Sequence, residues 1–194
     1  MAALRQKAVF GGSFDPVHLG HLALAQEVIN IGYEQIIFVP AGQAPHKAHP
    51  AECSPHDRLH MLQLALKNIP WALIWDGELR RSGVSYSIDT LDTLREEGMV
   101  SERPGFIIGD DLAAGFSSWK DSDRLAASTL ILLGRRMKNE PVHFPYPHRK
   151  LNNALYPYSS TGIKDIISRN GPLNSVLPGS VIPYIREKKL YGSC

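Results

Sequence analysis

The sequence predicts an α/β protein with a doubly wound parallel sheet, and three observations carry that prediction. Short, continuous apolar runs such as "QIIFVP" and "TLILLG" recur along the chain, as expected of strands buried on both faces. Longer segments between them place apolar residues at helical spacing. The two kinds of segment alternate, which is the pattern of βαβ units laid side by side.

Taken in order, "KAVF" (residues 7–10) reads as the first strand. A helix is expected over 16–31, with Leu22, Ala25 and Ile29 on one face, and a second strand over 35–40. Together these make a right-handed βαβ unit. Ser54, Pro55 and Asp57 then offer an N-cap, a first-turn proline and a capping-box acid. The helix they open carries Leu59, Leu62, Leu66 and Ile69 at helical spacing. "ALIWD" (72–76) is a strand, and Ile88, Leu91 and Leu94 mark another helix. Buried strands follow over 105–111 and 129–136, and the polar, proline-rich 138–150 reads as a loop. "SSTGIKDIISRNG" and "VIPYIREKKLYG" are closing helices, with Pro183 tolerable only in a first turn. The expectation is one domain spanning 1–194, closed by C-terminal helices from about residue 160.

Composition narrows the function by exclusion. Lys plus Arg number 21 against 19 Asp plus Glu, so charge predicts neither a nucleic-acid nor a membrane partner. Cys53 and Cys194 cannot build a disulfide framework. No signal-peptide core and no apolar run near the ~20 residues of a membrane span are present, so a cytoplasmic location is expected. His46, His49, Cys53, His56 and His60 crowd one stretch but fit no common zinc spacing, so no metal ligands are expected. A homo-oligomer is left open.

The chemistry concentrates in "FGGSFDPVHLGH", Phe10 to His21. It follows the first strand, and open α/β sheets bind ligands beyond the carboxyl ends of their strands. Gly11 and Gly12 allow a tight turn and close approach of a ligand. Asp15 is expected as an N-cap and Pro16 at the first helical position, which puts His18 and His21 on one helix face. Amides at a helix N-terminus favour anions, and two imidazoles that can carry charge near neutrality add donors. The stretch therefore points to a polyphosphate. It is neither a Walker loop nor a dinucleotide fingerprint.

"GGSFDPVHLGH" resembles the GxFDPxHxGH signature of the nucleotidylyltransferase superfamily, related to the HIGH motif of class I aminoacyl-tRNA synthetases. The resemblance implies a Rossmann-like nucleotidylyltransferase fold and transfer of a nucleotidyl group with release of pyrophosphate. It also implies that His18 and His21 are catalytic, holding the triphosphate and stabilising charge on the transferring phosphoryl group. Four later segments resemble bacterial nicotinate-nucleotide adenylyltransferases. They are "PAGQAPHK", with Ala44 for a proline; "ELRRSGVSYSIDTL", with Ser87 for threonine; "FIIGDDLAAGFSSWK"; and "YSSTGIKDII". "LPGSVIPYIREKKLY" is similar to the closing helix of that family.

That family implies AMP transfer from ATP to nicotinate mononucleotide, giving deamido-NAD in NAD biosynthesis, with Mg²⁺ held mainly by the triphosphate and water. By the resemblance, Gly11, Gly12, Ser13, Phe14, Gly109, Asp111, Ser160, Thr161 and Ile163 join the two histidines at ATP. Lys164 is also implied at ATP, where it stands in place of the usual arginine, keeping the charge but losing the bidentate fork. For the acceptor, Trp119 resembles the residue that stacks on the pyridine ring, and amides around Tyr86 and Ser87 those that recognise its carboxylate. Lys47 and Arg136 are candidates for its phosphate. The residues alone also allow Trp119 to be a packing group, Arg135 and Arg136 a solvated pair, and Ser160 and Thr161 a simple cap. Alternatives are a nicotinamide-mononucleotide-preferring enzyme, phosphopantetheine adenylyltransferase, and a non-catalytic nucleotide-binding regulator.

Overall fold

The computed structural model describes residues 6–43, 51–136, 143–156 and 158–193. The described residues form six strands: β1 (Lys7–Gly12), β2 (Gln35–Pro40), β3 (Ala72–Ile74), β4 (Gly105–Gly109), β5 (Leu130–Gly134) and β6 (His148–Lys150). They form one sheet in the order β3-β2-β1-β4-β5-β6, and every pairing is parallel. From β1 the chain works outward to β3, then returns beside β1 as β4 and works outward the other way. The strand order therefore reverses between β1 and β4, and a crevice opens there beyond their carboxyl ends.

Helices cover both faces: α1 (Leu19–Asn30), α2 (Pro55–Leu66), α3 (Gly77–Arg80), α4 (Ser87–Glu96), α5 (Ser122–Ala127), α6 (Ser160–Ser168) and α7 (Ile182–Glu187). Alternate strand residues feed two cores. Ala8, Phe10, Ile36 and Phe38 pack with Leu24 of α1, Met61 of α2, Ile163 of α6 and Ile185 of α7. Val9, Ile37 and Val39 face the other way, onto Ile88 and Leu91 of α4, Leu125 of α5 and Phe116. This double burial is why β1 and β2 read as unbroken apolar runs rather than alternating ones.

Three local expectations change. The first helix begins at Leu19, not near 16, because His18 rather than Asp15 occupies its N-cap position. Asp15 is instead drawn into the interior by distant partners, described below. The segment expected wholly as a loop ends in β6, whose three residues pair only with β5. Residues 105–111 and 129–136 stop being strands at Gly109 and Gly134, and the chain beyond each enters the crevice. By contrast, Ser54 caps α2, accepting from the Asp57 amide at 3.1 Å, and Pro183 lies in the first turn of α7.

Candidate active site

The crevice is a cleft of about 400 Å³, within the usual range for a small-molecule site. Its floor is the end of β1, where Gly11 and Gly12 keep side chains out of the way, and Ser13 follows. His18 and His21 rise from the start of α1 and stack ring on ring, with centroids 3.6 Å apart. Behind them Phe14 meets His21 edge-on at 5.1 Å, so the second ring is packed in place. The His18 amide donates to Nδ1 of His21 at 3.2 Å, which puts the proton of a neutral His21 on Nε2.

His18 is 3% exposed, and among the described residues its Nε2 has no hydrogen-bond partner. Burial pushes its pKa down to about 3, and the nearby Arg136 guanidinium adds to the shift. The sequence let this ring carry charge near neutrality, whereas its burial in the fold favours the neutral form. A buried, unpaired polar nitrogen is worth about 1–3 kcal/mol of lost hydrogen bonding, which a ligand oxygen would restore.

The opposite wall comes from β4 and β5. Gly109 ends β4, and a Cβ there would strike Oδ1 of Asp111 and, at 2.6 Å, Cδ of Arg136. The glycine is what lets those two chains cross. Arg136 pairs with Asp111 at 3.1 Å, and its amide donates to Oδ1 of Asp110 at 2.8 Å. Trp119 lines the cleft, its ring tilted against Phe116 at 5.1 Å and edge-on to Phe106 at 6.4 Å.

Two helix N-termini open onto the same space. α6 presents Ser160 and Thr161, and Ser159 caps it by accepting from the Gly162 amide at 3.1 Å. α4 begins at Ser87 with Tyr86 at its N-cap and no side-chain cap bond. First-turn amides have no acceptor within their own helix, so each end favours an anion. Lys120 sits 4.8 Å above the Tyr86 ring and pairs with Asp89 at 2.9 Å.

The cleft thus gathers Gly11, Gly12, Ser13, His18 and His21 with Gly109, Asp111, Trp119 and Arg136, and with Tyr86, Ser87, Ser160 and Thr161. It does not gather all the residues the sequence pointed to. Phe14 and Ile163 are fully buried in the core, and the Ile163 amide is already bonded to the Ser159 carbonyl at 2.9 Å. Lys164 is turned away from the cleft, its ammonium 2.7 Å from Asp15 and 3.2 Å from Glu52. Lys47 lies outside the described residues, as do His46 and His49.

The comparisons with known proteins agree with this architecture. A cytidylyltransferase-like family model matches residues 9–166. A Borreliella afzelii protein described as "Probable nicotinate-nucleotide adenylyltransferase" is 34% identical over 187 residues, covering 95% of each chain. A Halalkalibacterium halodurans protein of the same description is 36% identical over 192 residues, covering 97% of this chain and 92% of its own. The chain belongs to the nicotinate-nucleotide adenylyltransferase family. Solved structures share the fold: Plasmodium falciparum nicotinic acid mononucleotide adenylyltransferase complexed with NaAD superposes with a TM-score of 0.75 at 19% identity. That match covers 95% of this chain and 96% of the other.

In this member of the nicotinate-nucleotide adenylyltransferase family, the cleft also includes residues to which the sequence motifs assigned no role. Glu78 is buried at the cleft wall, accepting from the Gly42 amide at 3.2 Å and from the Thr90 hydroxyl at 2.6 Å. Asn153 pairs with both backbone groups of Arg135 at 2.8 Å, continuing the β5–β6 edge to the mouth of the cleft. Tyr156 and Tyr158 line that mouth. Glu78 and Tyr158 each open a segment quoted above for its resemblance, whereas Asn153 and Tyr156 lie outside those segments.

Proposed function

We propose that the cleft transfers AMP from ATP to nicotinate mononucleotide, forming deamido-NAD and pyrophosphate. The observation that carries this is the unpartnered Nε2 of His18, buried in a cleft that also receives the N-terminus of α6. That combination suits a triphosphate: a neutral imidazole N–H and helix amides supply donors, and the helix dipole supplies favourable potential.

The acceptor's own phosphate is the nucleophile and is ionised at pH 7, so no general base is needed. One of its oxygens bonds to the α-phosphorus of ATP as the bridge to the β-phosphate breaks. The electron pair of that bridge leaves on pyrophosphate. Catalysis of this kind rests on positioning and on electrostatics. His18 and His21 stabilise the charge that gathers on the α-phosphoryl oxygens, and the negative phosphates raise the affinity of His18 for a proton. Arg136 serves the acceptor phosphate, Trp119 stacks on the pyridine ring, and the uncapped N-terminus of α4 receives the carboxylate. Gly11, Gly12, Ser13, Gly109, Asp111, Ser160 and Thr161 surround the nucleotide.

Among the described residues no cluster of three or more His, Cys, Asp or Glu side chains is placed to hold a metal ion. Mg²⁺ would enter with the nucleotide substrate, its charge offsetting that of the phosphate oxygens that bear it. The test is pyrophosphate release with ATP and Mg²⁺ on nicotinate mononucleotide, nicotinamide mononucleotide and phosphopantetheine, compared by kcat/KM. Preference for nicotinate mononucleotide is expected. Preference for phosphopantetheine would overturn the acceptor assignment, and absence of turnover with all three would overturn catalysis.

A further inference from the structure

We propose that Lys164 and Asp15 form a positioning couple for His18: the ammonium on α6 fixes the carboxylate in the turn between β1 and α1, and through that turn the catalytic ring. The inference deepens the reading of His18 given above and rests on it.

Asp15 is 4% exposed and lies midway along the turn that runs from the β1 glycines to His18. Its two oxygens receive four donors. Oδ2 accepts from the Lys164 ammonium at 2.7 Å and the Glu52 amide at 2.9 Å. Oδ1 accepts from the Tyr191 hydroxyl at 2.7 Å and the Cys53 amide at 3.3 Å. Burial opposes the charge, but Lys164 and Tyr191 outweigh it and hold the Asp15 pKa below its ordinary value. Both ends of the turn are also held. Arg58 of α2 donates to the Ser13 carbonyl at 2.8 Å, and the His18 amide is taken up by His21.

Lys164 has its charge fully engaged inside this arrangement. The ammonium contacts both Asp15 and Glu52, and it lies 5.3 Å from the centre of the Tyr191 ring. A phosphate ligand would have to present that charge to the cleft, where the same helix instead places Ser160 and Thr161. The residue standing in the family's arginine position thus acts through Asp15. Its effect should fall on the transition state, because a displaced His18 loses contact with the developing charge while the other ATP contacts persist.

The test compares Lys164→Met, Lys164→Arg, Asp15→Asn and the Lys164→Met/Asp15→Asn double variant with the unmodified protein. Lys164→Met should lower kcat roughly 10- to 100-fold, as for a small misplacement of a catalytic group. KM for ATP should stay within about 2-fold of its starting value. Lys164→Arg should recover most of the loss, and the double variant should fall no further than Asp15→Asn alone. If Asp15→Asn does not fold, Tyr191→Phe removes one bond to the same carboxylate and takes its place.

A second readout needs no substrate: ring ¹⁵N resonances of His18 in histidine-labelled, nucleotide-free protein. Lys164→Met should move them, as should the Asp15 variant. Unmoved His18 signals with a raised KM for ATP would make Lys164 a phosphate ligand and overturn the couple. Additive losses in the double variant, or a lowered Tm with unchanged kcat, would overturn it as well. Should the unmodified protein turn over no acceptor, the functional reading fails by itself, and the resonances still decide the couple.

Discussion

Acidifying the protein from pH 8 to pH 5 should weaken it by about 2 kcal/mol through His18 alone. The unfolded ring titrates near 6.5, whereas in the folded protein burial, aided by Arg136, pushes its pKa down to about 3. Between those values the unfolded chain binds one more proton than the folded one. Stability from this group is therefore complete above about pH 6.5 and declines by ~1.4 kcal/mol per pH unit below it, until the folded ring itself protonates. At pH 5 the integrated loss is about 2 kcal/mol. Urea unfolding at pH 8, 7, 6 and 5 of the unmodified protein and of His18→Gln measures it. Carboxylates shared by the two proteins cancel in the difference, which should change by that amount across the range. Parallel stability curves, or a His18 NMR titration midpoint near 6.5, would refute the buried neutral ring.

Trp119→Ala should lower kcat/KM for nicotinate mononucleotide roughly 10-fold or more by removing a stacking face, with KM for ATP unchanged; steady-state kinetics with each substrate varied checks this. Gly42→Ala brings a Cβ to 2.6 Å from the Glu78 carbonyl oxygen, a backbone atom with little room to retreat. That overpacking should cost about 1–3 kcal/mol in denaturant unfolding. Arg58→Met leaves the Ser13 carbonyl without its 2.8 Å donor. A loss of about 1–3 kcal/mol is expected by thermal unfolding.

The sheet was readable because each central strand is buried on both faces, so Ile36 to Val39 and Phe106 to Ile108 announce themselves with no partner in view. β6 was not: "HRK" is short, polar and at an edge, and backbone pairing with β5 is what makes it a strand. The glycine and histidine stretch from Phe10 to His21 was legible as a motif, but the protonation of His18 depends on its burial in the folded protein. Asp15 shows the limit most clearly. Beside a proline it has the local look of an N-cap, yet its partners lie 37, 38, 149 and 176 residues away. Local chemistry cannot reveal which distant group will outbid a helix terminus for a carboxylate. The burial of Glu78 and Arg58 was hidden for the same reason, since charged residues read as surface until the fold encloses them.

The bond from Tyr191 to Asp15 also sets a timetable for synthesis. The turn that leads to His18 leaves the ribosome early, but one of its four donors is added 176 residues later. At typical elongation rates that interval is about 10–35 s. Through it the turn that leads to His18 lacks the hydroxyl that shares Asp15 with Lys164. The last tie on the turn that carries His18 is accordingly made only when the C-terminal residues have been added.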